Sequence, residues 1–284
     1  MIPWSLLDTA QVPGGGGELR LMRRGAEFSI RLGHTELMNS RRSGSEEALA
    51  TIVCVRIRGR ARPRILIGGS GMGFTLRAAL AALGSEARVI VAELVPAVVT
   101  WARGPMLEVF GDSLTDPRVS IHEADVGHLI RSGRSTFDAI LLDVDNGPEG
   151  LTRKANNGLY DAEGLSAARA SLRSGGVLAV WSSGPDLQFT QRLRKTGFDV
   201  DEVACAPTER VAARGTSSGS RPAPIVDIRR PNSDNSFGHK QPLARAFALD
   251  FGQGLLTQRS PRDLPHRTRA PTWRRRPSER CPPD

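Results

Sequence analysis

The chain has 284 residues, 39% hydrophobic and 24% charged, a balance that fits a globular protein with a sizeable core. No stretch approaches the ~20 apolar residues that span a bilayer. The opening Met1-Ile2-Pro3-Trp4-Ser5 lacks the features of a secretory signal, and Cys54, Cys205 and Cys281 are too scattered for a disulfide framework or a metal site, so a reducing, cytoplasmic setting with no membrane and no metal is expected. The net charge of +9 invites a nucleic-acid partner, but residues 204–284 hold 15 Lys+Arg against 7 Asp+Glu, so the rest of the chain is nearly neutral and nucleic acid is not the expected partner.

In chain order, residues 1–58 read as a β-rich leader plus a helix. The glycine run Gly14–Gly17 breaks any regular element. Residues 18–23 and 27–32 alternate at period two, and Arg24-Gly25 between them suits a hairpin turn. Ser43 or Ser45 then caps a helix through Glu46, Glu47, Leu49, Ile52 and Val53. From residue 59 to 205 short apolar strands alternate with helices. The strands are expected at 64–67, 88–93, 119–123, 137–143, 176–181 and 198–203, and the helices at 74–83, 97–110, 126–131, 162–172 and 186–195. This pattern predicts an α/β fold, a doubly wound, mostly parallel, Rossmann-like sheet with its ligand crevice at the carboxyl ends of the strands.

Four groups of residues fall at that crevice. Strand 64–67 runs into Gly68-Gly69-Ser70-Gly71-Met72-Gly73 and a helix, so Gly68, Gly69, Gly71 and Gly73 are candidates to bring backbone N–H groups against a nucleoside. The same loop also reads as a tight βα turn with no ligand, and it does not match G-x-G-x-x-G cleanly. Glu93 ends the next strand, where a carboxylate accepts ribose hydroxyls. Asp125 follows the third strand and reads equally as a helix N-cap. Asp143 and Asp145 follow the fourth, in Asp143-Val144-Asp145-Asn146-Gly147-Pro148. They suit a cationic amine and removal of its proton, although Asp, Asn, Gly and Pro also make turns. His34, His122 and His128 are isolated and read as structural.

The order of these motifs over residues 14–203 resembles the spermidine synthases, polyamine aminopropyltransferases with a class I S-adenosylmethionine methyltransferase-like fold. Gly68–Gly73 resembles that family's glycine loop and Asp143–Pro148 its catalytic-Asp motif, two residues shorter. Leu172–Leu178 resembles its Leu-Lys-Pro-Gly-Gly segment. The resemblance implies ribose binding by Glu93, adenine binding by Asp125, a catalytic base at Asp143, amine binding at Asp145 and Glu47, and a homodimer. The co-substrate it implies is S-adenosylmethionine or its decarboxylated form, with a small-molecule amine or other acceptor. Two positions depart from the family. Gly71 stands where the family has an Asp that holds the donor's free amine. Ser45-Glu46-Glu47 stands for Tyr-His-Glu and Glu36 for a Gln, leaving extra carboxylates at 36 and 46. Three readings follow: an aminopropyltransferase, an S-adenosylmethionine methyltransferase, or a catalytically degenerate nucleoside-binding protein.

Residues 206–284 hold 11 of the 19 prolines and the run Arg274-Arg275-Arg276, so a basic, disordered tail is expected. The change of composition before the last strand of the sheet suggests replaced or out-of-frame sequence from about residue 206. Alternatively, Ile225–Ile228 supplies the seventh strand after a long loop.

Overall fold

The computed structural model describes residues 2–41, 43–144, 157–182, 185–205 and 223–229. The leader is a four-stranded antiparallel sheet in sequence order: β1 (Ser5–Gln11), β2 (Glu18–Arg24), β3 (Glu27–Leu32) and β4 (Thr35–Asn39). β2 and β3 lie where the alternation places them, with Leu19, Leu21, Phe28 and Ile30 buried. Gly25 turns between them at φ +61°. β1 and β4 carry no clean alternation and were not anticipated. β1 is an almost wholly exposed edge strand whose pairing slips between Leu6 and Asp8. The glycine run forms the turn from β1 to β2, closed by the Val12 N–H donating to the Gly17 carbonyl at 2.8 Å.

Helix α1 (Gly44–Arg56) starts after Ser43, which makes no side-chain cap. Its inner face, Leu49, Ala50, Val53 and Cys54, packs with Ile65, Ile67, Val89 and Leu141 of the second sheet. The structure therefore puts α1 in the helical layer of the α/β unit, although it precedes the expected boundary at residue 58.

That unit continues through β5 (Arg64–Gly68), α2 (Phe74–Ala82), β6 (Arg88–Glu93), α3 (Pro96–Arg103) and α4 (Leu107–Phe110), then β7 (Val119–Glu123), α5 (Val126–Ser132), β8 (Phe137–Leu142), α6 (Asn157–Tyr160), α7 (Ala162–Ser171), β9 (Leu172–Trp181), α8 (Leu187–Lys195), β10 (Asp199–Cys205) and β11 (Ala223–Arg229). The single helix expected over 97–110 is broken, because Pro105 has no N–H to donate and disfavours helical backbone at Gly104. The sheet order is β10-β11-β9-β8-β5-β6-β7. β5 to β9 run parallel, and β11 is antiparallel to both its neighbours, with Val226 opposite Val180 on β9 and Glu202 on β10. Of the two expectations for the end of the sheet, the structure takes the second: the seventh strand is present, supplied from beyond residue 206, and it covers the edge of β9. Among the described residues no helix is long and apolar enough to cross a membrane.

At the end of the sheet away from the crevice, Asp138 of β8 is buried to 1% exposure. Its Oδ1 accepts from Arg60 at 2.7 Å, and its Oδ2 from Arg173 and from the Arg64 N–H, both at 2.8 Å. One carboxylate thus ties the loop before β5 to β8 and to β9. Both arginines reach solvent, which moderates the loss of solvation. Asp138→Ala strands two guanidinium groups and one backbone donor, and is expected to lower unfolding free energy by about 2–3 kcal/mol in urea denaturation.

Candidate active site

The strand order reverses between β5 and β8. From β5 the chain steps outward to β6 and β7, then returns to lay β8 on β5's other side. Ligand crevices in such sheets open at this point, at the carboxyl ends of the strands. There the Asp143 N–H donates to the Gly68 carbonyl at 3.1 Å and the Gly69 N–H to the Ala92 carbonyl at 2.8 Å, drawing the glycine loop, β6 and β8 together. Gly69 has φ +86°, and a Cβ there would run into the Asp143 carbonyl oxygen. Gly73 has φ +77°, and a Cβ there would come 2.5 Å from Phe110. Only glycine meets both demands. At Gly68 the neighbours of a Cβ would be Val126 and Leu142 at 3.0–3.2 Å, so this glycine serves packing between β5, β8 and α5.

A cavity of about 170 Å³ opens above these strand ends. Gly69, Gly71, Glu93, Asp125 and Asp143, all expected from the sequence, line it together. Gly68 and Gly73 do not line it. Glu93 is 7% exposed. Its Oε2 accepts from the Ser70 N–H at 2.9 Å and the Ser70 hydroxyl at 3.0 Å, and its Oε1 from the Val95 N–H at 2.9 Å. The glycine loop is thereby pinned to the end of β6, and one acceptor position on Oε1 is left over. Asp125 is the N-cap of α5, accepting from the Gly127 N–H at 2.7 Å through Oδ1, and it lines the cavity as well. Asp145 lies outside the described residues.

Glu47 is not at this cavity. It lines a separate depression with Thr51, Phe74 and Arg77 between α1 and α2, and its neighbour Glu46 lines the main cavity instead. Helical spacing explains the exchange: consecutive residues point about 100° apart, so one of the pair faces the crevice and the other turns away. Glu36 is held within the leader by Ser29, Asn39 and Arg31. Two residues passed over in the sequence matter here. The Thr75 hydroxyl, on the first turn of α2, donates to Asp143 Oδ2 at 2.7 Å. Trp181, ending β9 beside Asp143, forms part of the wall. Thr75 carried no signal in the sequence, since a Thr near a helix start is unremarkable. Trp181 is legible only as the last residue of an apolar strand.

The leader closes the site. Leu19, Ile30, Leu32, Leu37 and Met38 line the cavity from β2, β3 and β4. They belong to a core shared with Met72, Phe74, Val98, Trp101 and Phe110. The Trp101 indole N–H donates to Asp8 on β1 at 2.6 Å. Four carboxylates, Glu46, Glu93, Asp125 and Asp143, and no Lys, Arg or His stand among the described residues of the lining. Burial pushes the Asp143 carboxyl up to about 7. The negative charge of Glu46 pushes the same way, and the Thr75 hydrogen bond opposes both.

The chain is 32% identical over 123 residues to polyamine aminopropyltransferase 1 of Streptomyces coelicolor, covering 43% of this chain and 22% of that protein. It is 31% identical over 121 residues to the polyamine aminopropyltransferase of Korarchaeum cryptofilum, covering 43% of this chain and 36% of that one. Over these stretches the chain is similar to polyamine aminopropyltransferases. Its matches span only about a fifth to a third of those relatives' lengths. Spermidine synthase from Thermotoga maritima shares the fold, with a TM-score of 0.62 at 17% identity, covering 80% of this chain and 73% of that one. No protein-family model matches the chain.

Two outcomes are expected from this geometry. Gly69→Ala forces a Cβ against the Asp143 carbonyl at positive φ and is expected to cost about 2–4 kcal/mol of stability, read from the urea midpoint. Asp143 binds its proton more tightly in the folded chain than in the unfolded one. It therefore favours folding below its unfolded value of 3.8, and that contribution is lost as pH rises through about 7. Asp143→Asn is expected to flatten the stability profile between about pH 4 and pH 8 and to be the more stable variant at the alkaline end.

Proposed function

We propose that the chain transfers an aminopropyl group from decarboxylated S-adenosylmethionine to a small amine, with Asp143 as the general base. The observation that carries this reading is the charge of the cavity: four carboxylates at a nucleoside-type crevice, with no cation among the described lining. Such a site attracts a sulfonium and an ammonium. A donor that kept its carboxylate would add another anion among four, which weighs against the methyltransferase reading. The solved spermidine synthase in complex with the transition-state analogue AdoDATO, on the same fold at a TM-score of 0.62, supports it as well.

The nucleoside lies over Gly69 and Gly71, with its ribose toward Glu93 and its base toward Asp125. The neutral amine nitrogen attacks the methylene beside the sulfonium. A new C–N bond forms, the C–S bond breaks with its electron pair going to sulfur, and the nucleoside leaves as a neutral thioether. The amine's proton passes to Asp143. An acid poised near 7 suits that transfer better than an ordinary carboxylate, because its proton affinity is closer to that of the amine that gives up the proton. Thr75 holds the carboxylate in place at 2.7 Å. Alignment of nucleophile and sulfonium in the enclosed cavity supplies much of the remaining rate.

The full chain with decarboxylated S-adenosylmethionine and a panel of diamines is expected to release methylthioadenosine. Asp143→Asn should slow release by about a hundredfold or more while nucleoside binding persists. Release of S-adenosylhomocysteine from S-adenosylmethionine, with no thioether from the decarboxylated donor, would move the protein to the methyltransferases.

A further inference from the structure

Gly71 and Met38 belong together. Gly71 lines the cavity at φ +49°, and a Cβ added there would come 2.9 Å from Cε and 3.0 Å from Sδ of Met38 on β4. The leader's thioether thus fills the space a side chain at 71 would need, and this stretch of wall is apolar. A ligand ammonium finds no anion there. The other carboxylates are already spoken for: Glu93 is bound to Ser70 and Val95, Asp125 caps α5, and Asp143 is the base. Glu46 remains. It lines the cavity from the first turn of α1, its Oε2 accepts from the Ser45 hydroxyl at 2.6 Å, and among the described residues no cation pairs with it.

We propose that Glu46 binds the ammonium group of the aminopropyl donor, as the specificity-determining carboxylate of the cavity, with Met38 closing the alternative position beside Gly71. This rests on the aminopropyl-transfer reading. The assignment to the donor and not the acceptor follows from chemistry. The attacking amine must be neutral, and a fixed anion beside it would hold it protonated. The donor's ammonium does not react and is best kept charged. It also stands only two carbons beyond the attacked methylene, close to the base, and Glu46 is near enough to Asp143 for its charge to act there. Glu46 then does two things at once. It recognises an aminopropyl chain, and it repels a chain that carries a carboxylate in addition.

Calorimetric titration of the full chain with three neutral-sulfur nucleosides separates ammonium recognition from the sulfonium charge. The probes are 5′-methylthioadenosine, 5′-(3-aminopropylthio)adenosine and S-adenosylhomocysteine. The parent chain is expected to bind the aminopropyl compound most tightly. Glu46→Gln should weaken it by about ten- to a hundredfold, leave methylthioadenosine unchanged, and narrow the gap to S-adenosylhomocysteine. Glu46→Asp should keep part of the preference. Unchanged methylthioadenosine affinity reports an intact fold. If Glu46→Gln keeps the preference for the aminopropyl compound, or raises only the KM of the acceptor amine, the assignment is overturned. Failure of the folded parent chain to bind any of the three would instead overturn the aminopropyl-transfer reading itself.

Discussion

The backbone contact between the ends of β5 and β8 sets the position of every group in the site. Gly68 accepts the Asp143 N–H, and Gly69 leaves no room for a Cβ against the Asp143 carbonyl. This close approach requires glycine just after one strand and brings the candidate base that follows the other to the mouth of the glycine loop. The same loop is fastened on its far side to β6 by Glu93 through both polar groups of Ser70. Two adjacent strands and a third are thus locked at their carboxyl ends by short polar contacts, while Asp138 locks the opposite end of the sheet. A crevice held at both ends of its strands is pre-organised.

The leader turns that crevice into an enclosed site. Its apolar strands share one core with Met72 of the glycine loop, Phe74 of α2 and with α3, and Asp8 anchors it to Trp101. Enclosure has an electrostatic consequence: with apolar side chains above it and Glu46 beside it, Asp143 loses hydration and holds its proton to about 7. The charge contribution arrives from α1, whereas the candidate base follows β8. The proton affinity of the candidate base therefore depends on a segment distant in the chain.

Departures from the resembled family become physically coherent in three dimensions. Gly71 removes a carboxylate from the loop, and Met38 occupies the vacated space, so an Asp restored at 71 alone would meet a thioether. The extra carboxylate of α1 compensates in charge from another direction. Loss at one position and gain at the other leave the cavity anionic, in keeping with a cationic ligand.

Much of this was legible in the residues. Period-two runs located β2 and β3, apolar strands alternating with helices located the parallel sheet, and Gly69, Gly71, Glu93, Asp125 and Asp143 were legible because strand ends in a doubly wound sheet converge on one crevice. The break at Gly104-Pro105 was written in the sequence too, in the missing N–H of Pro105. Tertiary structure decided the rest. Whether Glu46 or Glu47 faces the site depends on the rotation of α1 about its axis, which its packing against α2 and β9 fixes. Pairing of β11 between β9 and β10 joins residues far apart in the chain, so composition alone left the seventh strand open. The sequence by itself determined which local elements form and where their ends lie, because periodicity, glycine and proline act over a few residues. The acidity of Asp143, the covering of Gly71 by Met38 and the closure of the sheet by β11 were decided only in the folded chain, because burial and charge proximity depend on segments that meet through space.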